Sequence, residues 1–178
     1  MKIIKNKTII EDDWQILRLN DQEIADTVTV DASKVIVPLK VWQAQRDNLQ
    51  QREHIGVWLA SDERPETLKD DLQKFAVIAI DFPRFADGRG YSLAFNLRAH
   101  LGYSGELRAI GDVLRDQLFY MQRVGFDAYA PRPDRNIEDA LKGFSDFSDV
   151  YQASVDQPAP LFRRVQRKGN TVTGSINE

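Results

Sequence analysis

Between Lys74 and Lys142 the chain carries no lysine and eight arginines, at positions 84, 89, 98, 108, 115, 123, 132 and 135. A segment that needs charge only for solubility would use both cations. Arginine differs in presenting a planar fork of donors that matches a carboxylate, phosphate or sulfate. Aspartates and glycines are set among these arginines. Asp81 and Arg84 lead into Asp87-Gly88-Arg89-Gly90-Tyr91-Ser92, and Arg108 leads into Gly111-Asp112, followed by Arg115 and Asp116. Gly88 and Gly90 would let the backbone bend with φ above zero and come close to a ligand. Tyr91 and Ser92 would open a helix, whose free N–H groups attract anions. The chemistry this suits is anion binding. Arg89, Arg108 and Arg115 would clamp the anion, and Asp87 or Asp112 would act as acid or base if a reaction followed.

The same residues also have a plainer reading. Asp87-Gly88 is a common turn pair. Asp81, Asp87, Asp112 and Asp116 can neutralise Arg89, Arg108 and Arg115 in structural networks, and Asp112, Arg115 and Asp116 have the i, i+3, i+4 spacing of a solvated helix face. A partner-binding surface is the third reading. Magnesium held by Asp112 and Asp116 is weaker, because carboxylates one helical turn apart are common. Gly88-x-Gly90 lacks the third glycine of a dinucleotide fingerprint, and there is no Gly-Lys-Ser/Thr phosphate loop. The two histidines, His54 and His100, lie far apart, so no histidine-rich metal site is expected. His54 reads as structural, His100 as a cation suited to a helix end, and Trp14, Trp42 and Trp58 as core or interface residues. No nucleophile–base pair and no cofactor motif is evident; absorbance at about 450 nm would test for a flavin.

The elements that must position these residues alternate. Residues 1–30 read as a small N-terminal β preface of short apolar runs broken by turns such as Lys5-Asn6-Lys7. Strands are expected at Lys34–Val37, Ile55–Ala60, Ala76–Ile80, Glu106–Ile110 and Phe126–Ala130. Ala76–Ile80 is apolar throughout, as a strand covered by helices on both faces should be. Helices are expected over Leu39–Arg52 with Pro38 in its first turn, after a Ser61 cap through Pro65, Leu68 and Leu72, around Leu93, Leu97 and Leu101, after an Asp112 cap, and over Asn136–Tyr151. Leu161–Val165 reads as an edge strand, and residues 168–178 as a disordered tail after a single α/β domain over 31–167. About five βα units imply a mainly parallel sheet, either an open doubly wound one or a partial TIM-barrel-like one whose open edges would favour a homodimer. In both, ligands sit at the carboxyl ends of the strands, where the loops after strands three, four and five would gather the arginines.

Composition narrows the setting. The chain has 178 residues, 42% of them apolar and 29% charged, which suits one globular domain. A net charge of −3 gives no overall basic field for nucleic acid. With no cysteine, disulfides, thiolate catalysis and a cysteine-held iron–sulfur cluster within the chain are excluded. No segment approaches the roughly 20 apolar residues of a membrane span, and the N-terminus lacks a secretory signal. A cytoplasmic location is the expectation.

FPRFADGRGYSLAFNLR followed by GELRAIGDVLRDQLFYMQRVGFDAY resembles a bacterial family catalogued as a domain of unknown function. The resemblance is close over residues 75–130 and looser over about 30–165. Members of that family are typically encoded beside assimilatory sulfite reductase and phosphoadenylylsulfate reductase, and are described as probable oxidoreductases of sulfite reduction. The family pattern Phe-x-Phe-x-Asp-Gly-Arg-Gly-x-Ser is altered here into Phe82 to Ser92, with Pro83 and Arg84 before Phe85 and Ala86. Gly105 to Ala109, Asp112, Arg115, Asp116 and Gln117 also fit it. The resemblance brings no catalytic role for these residues. It implies an accessory protein of sulfate and sulfite assimilation, with sulfite reductase as a partner and the Arg84–Arg115 region as contact surface. The alternative is a small enzyme acting on an anionic substrate at the same place.

Overall fold

Strands form at all five of the expected β-branched runs, and also nearer the N-terminus. A computed structural model of the chain, which describes residues 1–145, 152–160 and 163, joins eight strands in one sheet. They are β1 (Lys2–Lys5), β2 (Thr8–Glu11), β3 (Gln15–Ile16), β4 (Val35–Pro38), β5 (Ile55–Leu59), β6 (Val77–Phe82), β7 (Glu106–Gly111) and β8 (Ala128–Tyr129). Across the sheet the order is β2-β1-β8-β7-β6-β5-β4-β3. From β3 to β8 every strand pairs in parallel with its chain neighbour, while β1 is antiparallel to both β2 and β8. The N-terminal stretch expected as a β preface forms three short strands within residues 2–16, and all three join this one sheet. The β1–β2 hairpin turns on Asn6 and Lys7, with φ of 48° and 61°, the left-handed pair that matches strand twist in a two-residue turn.

A sequential order of parallel strands is not doubly wound, because a doubly wound sheet reverses direction at a switch point. The sheet instead curls into a mostly parallel half-barrel. Chain length gives the reason. Edge strands β2 and β3 are joined by only Asp12, Asp13 and Trp14. Four Cα steps span at most about 14 Å, whereas the outer strands of a flat eight-stranded sheet would lie about 34 Å apart at the usual spacing. The edges can be joined only if the sheet bends.

Each strand divides its residues between two faces. Val35, Val37, Val57, Leu59, Ile78, Ile80, Phe82, Leu107 and Ala109 meet the helices in the larger core, whereas Ile36, Val77, Ala79 and Ile110 face inward with Trp14, Ile16, Trp58 and Ala130. β6 is apolar on both faces, but helices cover only one of them. The inner face is covered by the curl and by the crossing chain at Trp14 and Ile16.

The α-helices over residues 1–145 are α1 (Leu39–Leu49), α2 (Arg89–Phe95), α3 (Arg115–Arg123) and α4 (Ile137–Lys142). Pro38 ends β4 and holds the N-cap position of α1 rather than lying in its first turn. After Ser61 there is no α-helix, only 3₁₀ turns at Pro65–Leu68 and Leu72–Lys74. α2 continues as a π-helical turn over Asn96–His100. Asp112 does not cap α3; Leu114 stands at that position, and its N–H donates to the Gln117 side chain. Asn136 caps α4 by accepting from Asp139 N–H, and a 3₁₀ turn follows at Gly143–Ser145. The expected continuation of this helix to Tyr151, the edge strand Leu161–Val165 and the tail 168–178 lie outside the described residues, apart from Arg163. Among the described residues no helix is long and apolar enough to cross a membrane.

Candidate functional site

The carboxyl ends of β5 to β8 carry a connected rim of polar groups. At the end of β6, Asp81 receives two bonds from Arg18, at 2.6 and 3.2 Å, and the Arg18 guanidinium lies over the Trp58 ring. The β6–α2 loop is then fixed from several sides. Asp87 accepts from Arg89 Nε and Nη2 at 2.9 and 2.7 Å and from Ser61 Oγ at 2.6 Å. The Arg89 guanidinium, helped by the Ser61 hydroxyl, holds the Asp87 carboxyl well below the usual carboxylate range. Phe85 is gripped by both backbone groups: its N–H donates to Asp112 at 2.8 Å, and its carbonyl accepts from Gln117 Nε2 at 3.1 Å. The other Asp112 oxygen accepts from Arg132 at 3.1 Å, and Arg132 also forks onto Asp134.

Beside this rim, between the β7–α3 turn and the β8–α4 connection, lies a cavity of about 570 Å³ lined by Leu114, Arg115, Asp116, Pro131, Arg135 and Asn136 among others. That volume falls in the range of small-molecule sites, about 300–1,000 Å³. Its charge is mixed. Arg115 meets Asp139 at 3.4 Å, and Arg135 reaches Asp134 only at 3.8 Å. The more exposed Arg135 is the cation held less closely by its own aspartate.

A family model for a bacterial protein of unknown function, DUF934, matches residues 56–162, more than half of the chain. The chain belongs to the DUF934 family. The DUF934 match begins within β5 and takes in the rim residues from Ser61 to Arg135, together with the cavity, but not Arg18. No curated protein and no solved structure is matched.

Within this DUF934 chain the arginines singled out by sequence part company. Arg108 is not at a strand end. It lies inside β7, 1% exposed on the inner face, with Asp12 accepting from both its terminal nitrogens and Glu106 from its Nε. The reason is the period of two: Glu106, Arg108 and Ile110 share a face, and that face turns inward. Arg89 reaches solvent but is forked onto Asp87. Arg115 and Asp116 line the cavity. Arg84 is exposed and has no side-chain partner among the described residues.

The glycines also have a different use from the one expected. Neither Gly88 nor Gly90 has a positive φ; among the described residues the glycines that do are Gly102, Gly111 and Gly125. Gly90 is needed because a Cβ there would sit 2.6 Å from the Phe82 ring, so it lets α2 lie close on β6. Tyr91 and Ser92 are inside α2 rather than at its opening, with Tyr91 edge-on to Phe82 at 5.6 Å. Sequence reasoning missed Arg18, Ser61, Phe85 and Gln117 as rim residues. Only Gln117 carried a usable signal, three residues beyond the N-cap where a side chain reaches back to the cap.

Proposed function

We propose that this DUF934 protein is an accessory protein of sulfate and sulfite assimilation, acting in the cytoplasm by binding through the strand-end rim rather than by its own acid–base chemistry. The carrying observation is how the two candidate carboxylates are used. A general acid or base must change protonation near working pH. Asp87 is held far below that range by Arg89 and Ser61, and Asp112 has both oxygens committed to Phe85 N–H and Arg132. Around the β6–α2 loop tip the rim offers Arg84 and Phe85 to solvent, whereas near the cavity exposed Arg135 stands among exposed Asp116, Asp134 and Asp139. The sulfur setting comes from the resemblance of residues 75–130 to proteins encoded beside sulfite reductase. The test is titration of the full chain against purified sulfite reductase by biolayer interferometry, at two salt concentrations. Saturable binding that weakens with salt is expected; no binding at micromolar protein refutes the reading.

A second reading is an enzyme acting on an anionic substrate, favoured by the cavity at the ends of β7 and β8. There Arg115 and Arg135 would hold a phosphate-, sulfate- or carboxylate-bearing molecule. Calorimetric titration with sulfate, sulfite and phosphate separates the two readings: heat of binding lost in Arg135→Ala supports the second.

A further inference from the structure

We propose that Phe85, presented with Arg84 at the tip of the β6–α2 loop, anchors the chain on a protein partner by entering an apolar pocket that carries a carboxylate at its mouth. The inference rests on the accessory reading and deepens it by naming the contact. Phe85 is 50% exposed, yet both of its backbone polar groups are bonded to side chains. Its N–H is held by Asp112, and its carbonyl by Gln117, a side chain only 5% exposed. The same tip is closed by Asp87 N–H donating to the Arg84 carbonyl at 3.0 Å, and Asp87 is itself tied to Ser61 and Arg89. Two side chains, Asp112 and Gln117, thus fix an apolar ring that the chain leaves in water. Held in this way, Phe85 keeps half of its surface open to solvent.

Such a ring is suited to association. Aromatic side chains dominate binding hot spots, and a ring with only two rotatable bonds on a fixed backbone loses little entropy when it docks. Phe95, the other phenylalanine exposed among the described residues, meets His100 edge-on, whereas Phe85 makes no ring contact among those residues. The charge beside Phe85 sets the partner's chemistry. Arg89 is spent on Asp87, but Arg84 has no carboxylate among the described residues, so the complementary pocket is apolar within and acidic at its edge.

The experiment immobilises the full chain and measures binding of purified sulfite reductase to wild type, Phe85→Ala, Phe85→Tyr, Arg84→Glu and the distant Ile24→Ser. Phe85→Ala is expected to weaken binding about 30-fold or more, and Arg84→Glu about tenfold through a slower on-rate. Phe85→Tyr and Ile24→Ser should match wild type, and all melting temperatures should stay within about 2 °C, as expected for surface changes. Wild-type binding with Phe85→Ala within about threefold of it overturns the anchor and leaves the accessory reading standing. No binding by wild type overturns both. Sedimentation showing that Phe85→Ala abolishes self-association, with reductase binding intact, assigns the ring to a second copy and overturns the proposed partner.

Discussion

Removing Asp12 should destabilise the protein more than any other single surface-to-core charge change, and the inner-face network explains why. Two cations, Lys5 and Arg108, meet two anions, Asp12 and Glu106, so the network is neutral. Arg108 is 1% exposed at its side chain and Asp12 4%. Asp12→Ala leaves Arg108 with Glu106 alone and one uncompensated positive charge. Breaking a buried pair from one side costs about 3–5 kcal/mol, and the retained Glu106 contact places the expected loss near the lower end, about 3 kcal/mol. At about 2–4 °C per kcal/mol for a chain of this size, the melting temperature should fall by about 6–12 °C. The backbone at Asp12 still pairs with Met1 in both directions, so the perturbation is confined to the charge. Urea unfolding followed by far-ultraviolet circular dichroism measures the loss. The companion Asp12→Leu/Arg108→Met double variant removes both charges and should lose much less than the two single changes together, a coupling of about 2 kcal/mol or more. An Asp12→Ala loss below about 1 kcal/mol, or single changes that simply add, would refute the view that this pair is buried and mutually dependent.

Three further outcomes are expected. Asp71 is held down to about 2 by the Arg46 guanidinium first, with Lys74 and Trp42 assisting. Because its folded value lies below the unfolded 3.8, its stabilisation is complete above that value and lost as pH falls through about 2. The urea midpoint should drop over that window by an amount equivalent to roughly 1–2 kcal/mol, and Asp71→Asn should flatten the drop. Gly111 has φ of +92°, and a Cβ there would lie 2.4 Å from the Phe82 carbonyl oxygen and 2.7 Å from Asp81 Oδ1. Gly111→Ala should therefore cost more than about 2 kcal/mol in thermal unfolding. Lys7 sits at φ 61° in the hairpin turn, so Lys7→Gly should gain about 0.5–1 kcal/mol, read as a raised urea midpoint.

The α/β class was legible in the sequence because most core strands are short apolar runs, too short for a helix, that alternate with longer helical patterns. Val35 to Val37 and Ile55 to Leu59 form within the expected runs, whereas β6 runs two residues beyond the expected Ala76–Ile80, through Asp81 and Phe82. What sequence could not give was the role of residues 1–16. Ile3-Ile4 and Ile9-Ile10 read as a small β preface, and it is the pairing of β1 with β8 that joins them to the sheet. The 3₁₀ turns after Ser61 were misread as a helix because Pro65, Leu68 and Leu72 share helical spacing while each packs from a single short turn. Inner and outer faces were invisible for a related reason. Alternation tells that Glu106, Arg108 and Ile110 share a face, but the direction of sheet curl, fixed by the three-residue crossing at Asp12 to Trp14, tells which face is enclosed.

The lysine-free, arginine-rich stretch has a structural explanation that also isolates what remains functional. A guanidinium can serve several acceptors from one plane, which an ammonium on a flexible stem does less well. Arg98 does so fully, donating to the carbonyls of Tyr103, Gly105 and Gly125 and to Asp127, and so joins the turn before β7 to the one before β8. Arg123 reaches the Gln152 carbonyl and Asp156, tying down a segment with little secondary structure of its own. Arg108, Arg132 and Arg89 are committed to carboxylates in the same way. Much of the arginine bias therefore reflects internal connections: Arg98 at the amino ends of β7 and β8, Arg108 on the inner face, and Arg89 and Arg132 at the strand-end rim. Arg84 departs from that use. It stands exposed beside a ring whose backbone two other residues immobilise, so the rim built by the committed arginines presents this one outward.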